Sequence, residues 1–254
     1  MILHSSRDSI ELRTTVGTAC PDLLAKFARL VTVLPMLSRP KCPLCHSGGA
    51  TKQFISEGRE FFECAICDLL FVGSSHFLTK EEEKKRYDCH ENDSSDQRYR
   101  TFLSRIKVPL TPKLSPGMNG LDFGCGASDA MARIFQESGF SMERYDPIYG
   151  PQLSKASSKF DFITCSEVVE HFRAPAREFE LMHSLLREGG WLAVMTNIRD
   201  EYRSDSTWWY LRDRTHICFY AEQTFNWIGN AMGFRVELGA ANVVLLQKIV
   251  PSCL

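Results

Sequence analysis

Gly120-Leu121-Asp122-Phe123-Gly124-Cys125-Gly126-Ala127-Ser128 opens with an apolar, β-friendly run, passes an acid, and ends in Gly-x-Gly-x-Ser. That order reads as a strand turning sharply into a helix. The glycines allow backbone dihedrals closed to other residues and let a ligand come close. Ser128 can cap the following helix, which begins near Asp129 and continues through Ala130, Met131, Ile134 and Phe135. A turn of this kind at the carboxyl end of a parallel strand is where α/β sheets hold nucleotides. Asp146 strengthens the reading. It stands twenty-two residues after Gly124, just past the short apolar stretch from Phe140 to Tyr145, and an acid at that offset can take both ribose hydroxyls of an adenosine.

The nucleotide is narrowed by what the turn lacks. The third glycine of a dinucleotide fingerprint would fall at Asp129, and no Gly-Lys-Ser/Thr occurs to cradle phosphates. An acid beside the turn repels a pyrophosphate but suits a ligand with a cationic amino-acid end. That points to S-adenosylmethionine, with its sulfonium and α-ammonium.

Residues 119–197 resemble the class I S-adenosylmethionine-dependent methyltransferases. Leu121-Asp122-Phe123-Gly124-Cys125-Gly126 resembles their first motif, and Asp146 the acid ending their second strand. Phe160-Asp161-Phe162-Ile163-Thr164-Cys165-Ser166-Glu167-Val168-Val169-Glu170-His171 resembles their fourth strand. Leu185-Leu186-Arg187-Glu188-Gly189-Gly190-Trp191-Leu192 resembles the turn before their fifth, with Glu188 where proline is usual. Ser128 departs from the family's third glycine. The resemblance implies an α/β, Rossmann-like sheet, and Phe234–Leu238 and Asn242–Ile249, with Gly239 at the turn, read as a closing antiparallel hairpin. The resemblance also implies that Asp122, Gly124, Cys125, Gly126, Asp146, Pro147, Ser166 and Glu167 hold S-adenosylmethionine.

The interval from Pro147 to Lys159 is thirteen residues, and a single parallel crossover needs about a dozen. The family's third strand is therefore expected to be shortened or missing, leaving about six strands. The interval also contains no Asp or Glu, so a backbone carbonyl or one of Ser154, Ser157 and Ser158 must meet the adenine amine.

The 254 residues suffice for one large domain and a small one, and a net charge of −1 creates no overall field toward nucleic acid or acidic lipid. Four of ten cysteines are patterned. The other six are scattered, which suggests a reducing, cytoplasmic setting. Leu23 to Leu37 is apolar but interrupted by Lys26 and Arg29, and reads as an amphipathic helix rather than a secretory or membrane segment.

Cys42-Pro43-Leu44-Cys45 and Cys64-Ala65-Ile66-Cys67 stand eighteen residues apart. Two such knuckles offer Cys42, Cys45, Cys64 and Cys67 as thiolates for a tetrahedral zinc. Lys52–Ile55 and Arg59–Glu63, either side of Gly58, read as ribbon strands. A closed four-thiolate shell makes this zinc structural. The chain thus divides into an extension (1–40), a zinc ribbon (41–77), a helical segment and linker (78–118) and a catalytic domain (119–254). In the helical segment Thr79 caps a charged helix, read as a solvated face, and Gln97–Lys107 forms a second. Tyr87, His90 and Tyr99 are candidates to face the cofactor. Residues 108–118, with three prolines, read as the linker. In the catalytic domain, Pro175–Arg187 reads as a helix ended by Gly189-Gly190, and Trp191–Thr196 as the next strand.

For acid–base work the candidates are His171, five residues beyond Ser166, and His216, within the aromatic and charged stretch from Trp208 onward. Either can equally be a hydrogen-bonded structural residue. The preferred function is methyl transfer to a small-molecule acceptor. Two readings stand beside it: an RNA or protein methyltransferase whose ribbon docks the substrate, and a non-catalytic cofactor-binding protein. The acceptor atom and the oligomeric state stay open.

Overall fold

The knuckles of the ribbon are built alike. The computed structural model describes residues 40–89, 93–150, 159–202, 205–239 and 242–250. The helix expected at Leu23–Leu37, His90 and the three candidate adenine serines lie outside them. Cys42 N donates to Ser47 O and His46 N to Cys42 O; Cys64 N donates to Leu69 O and Asp68 N to Cys64 O. His46 (φ 58°) and Asp68 (φ 62°) both take the left-handed conformation that closes each loop. Between the knuckles, β1 (Thr51–Ser56) and β2 (Arg59–Glu63) pair antiparallel. Their turn at Glu57 and Gly58 has positive φ at both residues, as a tight two-residue hairpin requires. β3 (Leu70–Val72) extends the ribbon from β2.

Helix α1 (Lys80–Tyr87) carries the expected cap as a full box, Thr79 Oγ1 accepting from Glu82 N and Glu82 accepting from Thr79 N. Its charges are not only a solvated face. Arg86 pairs with Asp213 and Glu83 with Arg173. Helix α2 (Gln97–Leu110), capped by Asp96, runs further than expected. It continues through Pro109, losing one backbone donor there, because Leu103, Ile106 and Leu110 form a buried stripe. The anticipated linker therefore begins only after a short 3-10 turn at Thr111–Lys113.

The main sheet takes β4 (Asn119–Phe123), β5 (Ser141–Tyr145) after helix α3 (Ala130–Gln136), β6 (Phe160–Ser166), and β7 (Leu186–Met195) after helix α4 (Pro175–Leu185). Then follow β8 (Cys218–Phe219), helix α5 (Glu222–Met232), β9 (Phe234–Leu238) and β10 (Val243–Lys248). The order β5-β4-β6-β7-β10-β9 gives six strands, with β10 and β9 antiparallel. Among the described residues no strand stands for the family's third, as the short interval implied. One expectation fails here. α4 stops at Leu185, and β7 starts at once, opposite Phe160. Gly189 (φ 76°) and Gly190 lie inside β7, where the register with β6 shifts. A Cβ on Gly190 would fall 2.9 Å from the carbonyl oxygens of Arg187 and Asp161, so the glycine lets two backbones meet.

Alternate residues of the central strands feed two cores. Phe162, Trp191, Ala193, Met195, Val243 and Leu245 face α2 and α3. Ile163, Cys165, Leu192, Val194, Val244 and Leu246 face the other side, in one cluster with Phe61, Leu69, Leu70 and Phe71 of the ribbon. β8 pairs antiparallel with β3, so the ribbon's fourth strand comes from the stretch after β7. Among the described residues no helix is long and apolar enough to cross a membrane.

Candidate functional site

β4 and β6 lie side by side, and from β5 the chain crosses back over β4 to reach β6. Their carboxyl ends therefore sit at a topological switch point, where open α/β sheets bind ligands. A narrow cleft opens there, lined by Tyr99, Asp122, Gly124, Cys125, Ser128 and Ser166. The turn after β4 is held by Gly124 N and Cys125 N, which both donate to Tyr145 O at 2.8 and 3.1 Å. Gly124 (φ 79°) has no room for a side chain, since a Cβ would fall 2.6 Å from both methyls of Val168. Gly126 (φ 59°) differs: its missing Cβ points into open space. Ser128 Oγ accepts from Ala130 N at 3.2 Å, but the N-cap position falls one residue later than expected, at Asp129, whose side chain makes no cap.

Asp122 is buried in β4 and accepts from Thr164 Oγ1 at 2.9 Å. Burial pushes its carboxyl up to about 7. Asp146 is also buried and turned toward the glycine turn. Its Oδ2 accepts from Gly126 N at 2.9 Å, and its Oδ1 from Ile148 N and Tyr149 N at 2.7 and 2.8 Å. Pro147 beside it is exposed. Burial raises the Cys125 thiol to about 12, which marks a packed residue rather than a nucleophile. Tyr99 of α2 reaches the cleft, as suggested for helices ahead of β4; Tyr87 instead packs edge-on against His171, ring centroids 5.3 Å apart. Among the described residues Ser166 Oγ is buried with no hydrogen-bond partner. An orphaned hydroxyl, an open position at Gly126 and a buried carboxylate fit a polar ligand with a cationic end.

Beyond Ser166 the chain turns at Glu167, a non-glycine residue at φ 52° whose N–H donates to Met195 O at 2.8 Å. Strain of this kind tends to be kept at functional positions. A 3-10 turn, Val169–His171, follows. The two predicted histidines meet here, ring centroids 4.9 Å apart. His171 Nδ1 lies 3.0 Å from Thr215 O and His216 Nδ1 2.9 Å from Tyr210 O. A carbonyl only accepts, so both Nδ1 atoms carry the proton and both Nε2 atoms present bare lone pairs. Burial lowers both pKa values, that of His216 to about 3 with His171 adding to the effect.

Sequence reading missed Glu170 and Tyr210. Glu170 is fully buried; it accepts from Tyr210 Oη at 2.6 Å and from Thr196 Oγ1 at 3.0 Å. The same Tyr210 hydroxyl lies 3.2 Å from Glu167 Oε2. Burial raises Glu167 to about 8, with the neighbouring Glu170 adding to it, and raises Glu170 to about 7. The available signal was the Glu-x-x-Glu-His run at the end of a strand. Trp208 is buried and stacked on Tyr202 (4.8 Å, 2°), while Trp209 is exposed.

The ribbon reaches this cluster from behind. Arg59, 1% exposed, donates from Nη1 to His216 O at 2.9 Å and from Nη2 to Leu211 O. Arg199, equally buried, pairs with Glu63 and with Asp68 of the second knuckle. The four knuckle sulfurs lie within 4.8 Å of one another, with Cys42–Cys67 at 3.5 Å and Cys45–Cys64 at 3.4 Å. That is a possible metal site.

The family described as "Methyltransferase domain" matches residues 95–238. Among curated proteins none matches the chain. Among solved structures, the 1,6-didemethyltoxoflavin-N1-methyltransferase of Burkholderia thailandensis is 13% identical, with 79% of this chain and 100% of that one covered at a TM-score of 0.48. The magnesium protoporphyrin IX methyltransferase of Synechocystis PCC 6803 is 15% identical, with 67% and 91% covered at a TM-score of 0.41. The family match takes in more than half of the chain, from the glycine turn to both histidines, and so this chain belongs to the methyltransferase-domain family as an S-adenosylmethionine-dependent enzyme.

Proposed function

We propose that this chain transfers the methyl group of S-adenosylmethionine to a small-molecule acceptor in the cytoplasm, with a structural zinc in its ribbon. The observation that carries the reading is the enclosed cluster of Glu167, Glu170, His171, Tyr210 and His216, which begins one residue beyond the cleft-lining Ser166. An enclosed aromatic and imidazole surface suits a compact acceptor. The net charge of −1 creates no overall field toward RNA, and among the described residues the ribbon's apolar face is buried against the main core.

S-adenosylmethionine supplies an already activated methyl group. The protein's work is then to position the acceptor, exclude water and take up a proton. Asp122 holds the cofactor's ammonium end. Gly124, Cys125 and Gly126 give it a close backbone wall, and Ser166 and Glu167 line its methionine side. Asp146, with Pro147 beside it, takes the ribose. Three backbone donors already occupy the Asp146 carboxylate. A carboxylate accepts about four hydrogen bonds, so binding both ribose hydroxyls displaces at least one of the three. His171 and His216 stand on the acceptor side with unprotonated Nε2 atoms.

Zinc is favoured by the donor set. Four Zn–S bonds of about 2.3 Å place sulfurs about 3.8 Å apart, and soft thiolates in a closed tetrahedron select this metal. The ribbon (41–77) and the helical segment (78–118) then serve as supports for the transferase domain (119–254).

Calorimetry with S-adenosylmethionine tests the reading. The parent chain binds, and Asp146→Ala weakens binding by at least about tenfold, one lost charge-assisted contact. A folded parent that binds none overturns it. An acceptor requirement met only by RNA, with steep salt dependence, overturns the small-molecule part.

A further inference from the structure

Glu170, His171 and His216 bring one carboxylate oxygen and two imidazole nitrogens within 4.8 Å of one another. Resting on the methyl-transfer reading, we propose that these three side chains bind a divalent transition-metal cation, distinct from the ribbon zinc, that holds the oxygen of a hydroxyl-bearing acceptor.

The orientation of the imidazoles carries the argument. Each Nδ1–H is committed to a backbone carbonyl, His171 to Thr215 at 3.0 Å and His216 to Tyr210 at 2.9 Å. This is how metal-ligating histidines are held, because the outer bond fixes the tautomer and aims the free Nε2. A histidine serving only to fill the core has no need of a second imidazole and a carboxylate facing it. The carboxylate is oriented in the same way, by Tyr210 Oη at 2.6 Å and Thr196 Oγ1 at 3.0 Å. So all three donors have their own supporting hydrogen bonds. Among the described residues Glu170 has no cation in hydrogen-bond contact; its partners are the hydroxyls of Tyr210 and Thr196 and the Glu167 carboxyl. A carboxylate buried this deeply favours a positive partner.

Two nitrogens and one carboxylate leave coordination positions open, which separates this set from the closed four-thiolate knuckles. The ligand chemistry suits Mn²⁺, Fe²⁺, Co²⁺ or Zn²⁺. An acceptor hydroxyl in an open position loses its proton more readily, as metal-bound water does. That proton leaves to solvent as the oxygen takes its place on the cation. The acceptor oxygen then forms its bond to the methyl carbon as the carbon–sulfur bond breaks and the electron pair goes to sulfur, leaving a neutral thioether.

The test is metal content of the full chain, folded and carrying its ribbon zinc, after equilibration with Mn²⁺ or Zn²⁺ and removal of free ion. The parent holds two metal equivalents per chain, and Glu170→Gln, His171→Gln and His216→Gln each hold one. Retention of the first equivalent and of S-adenosylmethionine binding shows that a variant is folded. A parent that binds S-adenosylmethionine yet stops at one equivalent with both cations overturns the cation site and leaves the methyl-transfer reading standing. Variants that keep two equivalents overturn it as well. Loss of S-adenosylmethionine binding by the parent instead strikes the underlying reading.

Discussion

Asp122 lies in β4 with the Thr164 hydroxyl donating to it at 2.9 Å, and burial lifts its carboxyl from the ordinary 3.8 to about 7. Between those values the folded chain keeps a proton that the unfolded chain has released. The stability this contributes is therefore full below about pH 4 and is lost as pH rises through about 7, by up to about 4 kcal/mol. Asp122→Asn keeps an acceptor for Thr164 but cannot ionise. Thermal melts across pH 4 to 8 should show a downward slope in the parent that flattens in the variant. A cofactor ammonium also demands the ionised form, so parent affinity for S-adenosylmethionine should climb toward pH 7 with proton release on binding. The two glycines of the turn separate folding from binding. Gly124→Ala meets Val168 at 2.6 Å as well as an unfavourable φ, and should cost several kcal/mol of stability. Gly126→Ala meets nothing within 4 Å and pays only the backbone term, about 1 kcal/mol. Its added methyl projects into the open space where the ligand is expected. Denaturant melts and calorimetry should therefore show Gly126→Ala folded but weakened in cofactor affinity by at least about tenfold.

At the scale of elements, the ribbon and the stretch between β7 and α5 form one construction. β8 completes the ribbon sheet, and Arg59 of β2 grips the carbonyls of Leu211 and His216. Arg59→Met should leave those buried carbonyls unsatisfied, costing about 3 kcal/mol. Because His216 hangs from that grip, kcat should fall while the affinity for S-adenosylmethionine, whose proposed site lies on the far side of Ser166, stays within about twofold. Loss of cofactor affinity of the same size would show that Arg59 serves stability alone. This construction also marks the limit of what local sequence could reveal. The glycine turn, Asp146, the Cys-x-x-Cys pairs, the Thr79 cap and the β9–β10 hairpin were legible because each is set by neighbours a few positions apart. Arg59 meets its carbonyls 152 and 157 positions away, and no local pattern announces them. Glu170 went unnoticed for the same reason: a partner 40 positions on, Tyr210, turns an ordinary acid after a strand into a buried acceptor. Pro109 misled in the opposite sense, since burial of Leu110 outweighs the missing donor. The glycine pair at 189–190 looked like a helix stop, yet it accommodates a close backbone approach inside β7.

For the whole molecule, the question is whether the ribbon is an appendage or part of the same cooperative unit. One buried cluster runs from Leu44 and Phe61 through Tyr210 and Phe219 to Leu192 and Val244 of the central sheet. Phe61 and Phe219 touch across the junction with ring centroids 5.8 Å apart, and Phe219 in turn lies 6.1 Å from Tyr210. A ribbon of three short strands has too little apolar area to fold alone, so the metal proposed for its knuckles would supply the missing free energy. Removing that metal should therefore do more than melt the knuckles. Without the ribbon, Arg199 loses Glu63 and Asp68, β8 loses its only described strand partner, and Arg59 no longer holds the loop that carries His216. Cys64→Ser, or a strong chelator acting on the parent, should lower the melting temperature by about 6 °C or more, taking a loss of at least about 3 kcal/mol at roughly 2–4 °C per kcal/mol for a chain of this size. Calorimetry should show the parent unfolding in one transition, with the proposed zinc released within it. A low-temperature transition for the ribbon, followed by unchanged melting of a methyltransferase domain that still turns over, would mean that the two parts fold independently despite their shared core.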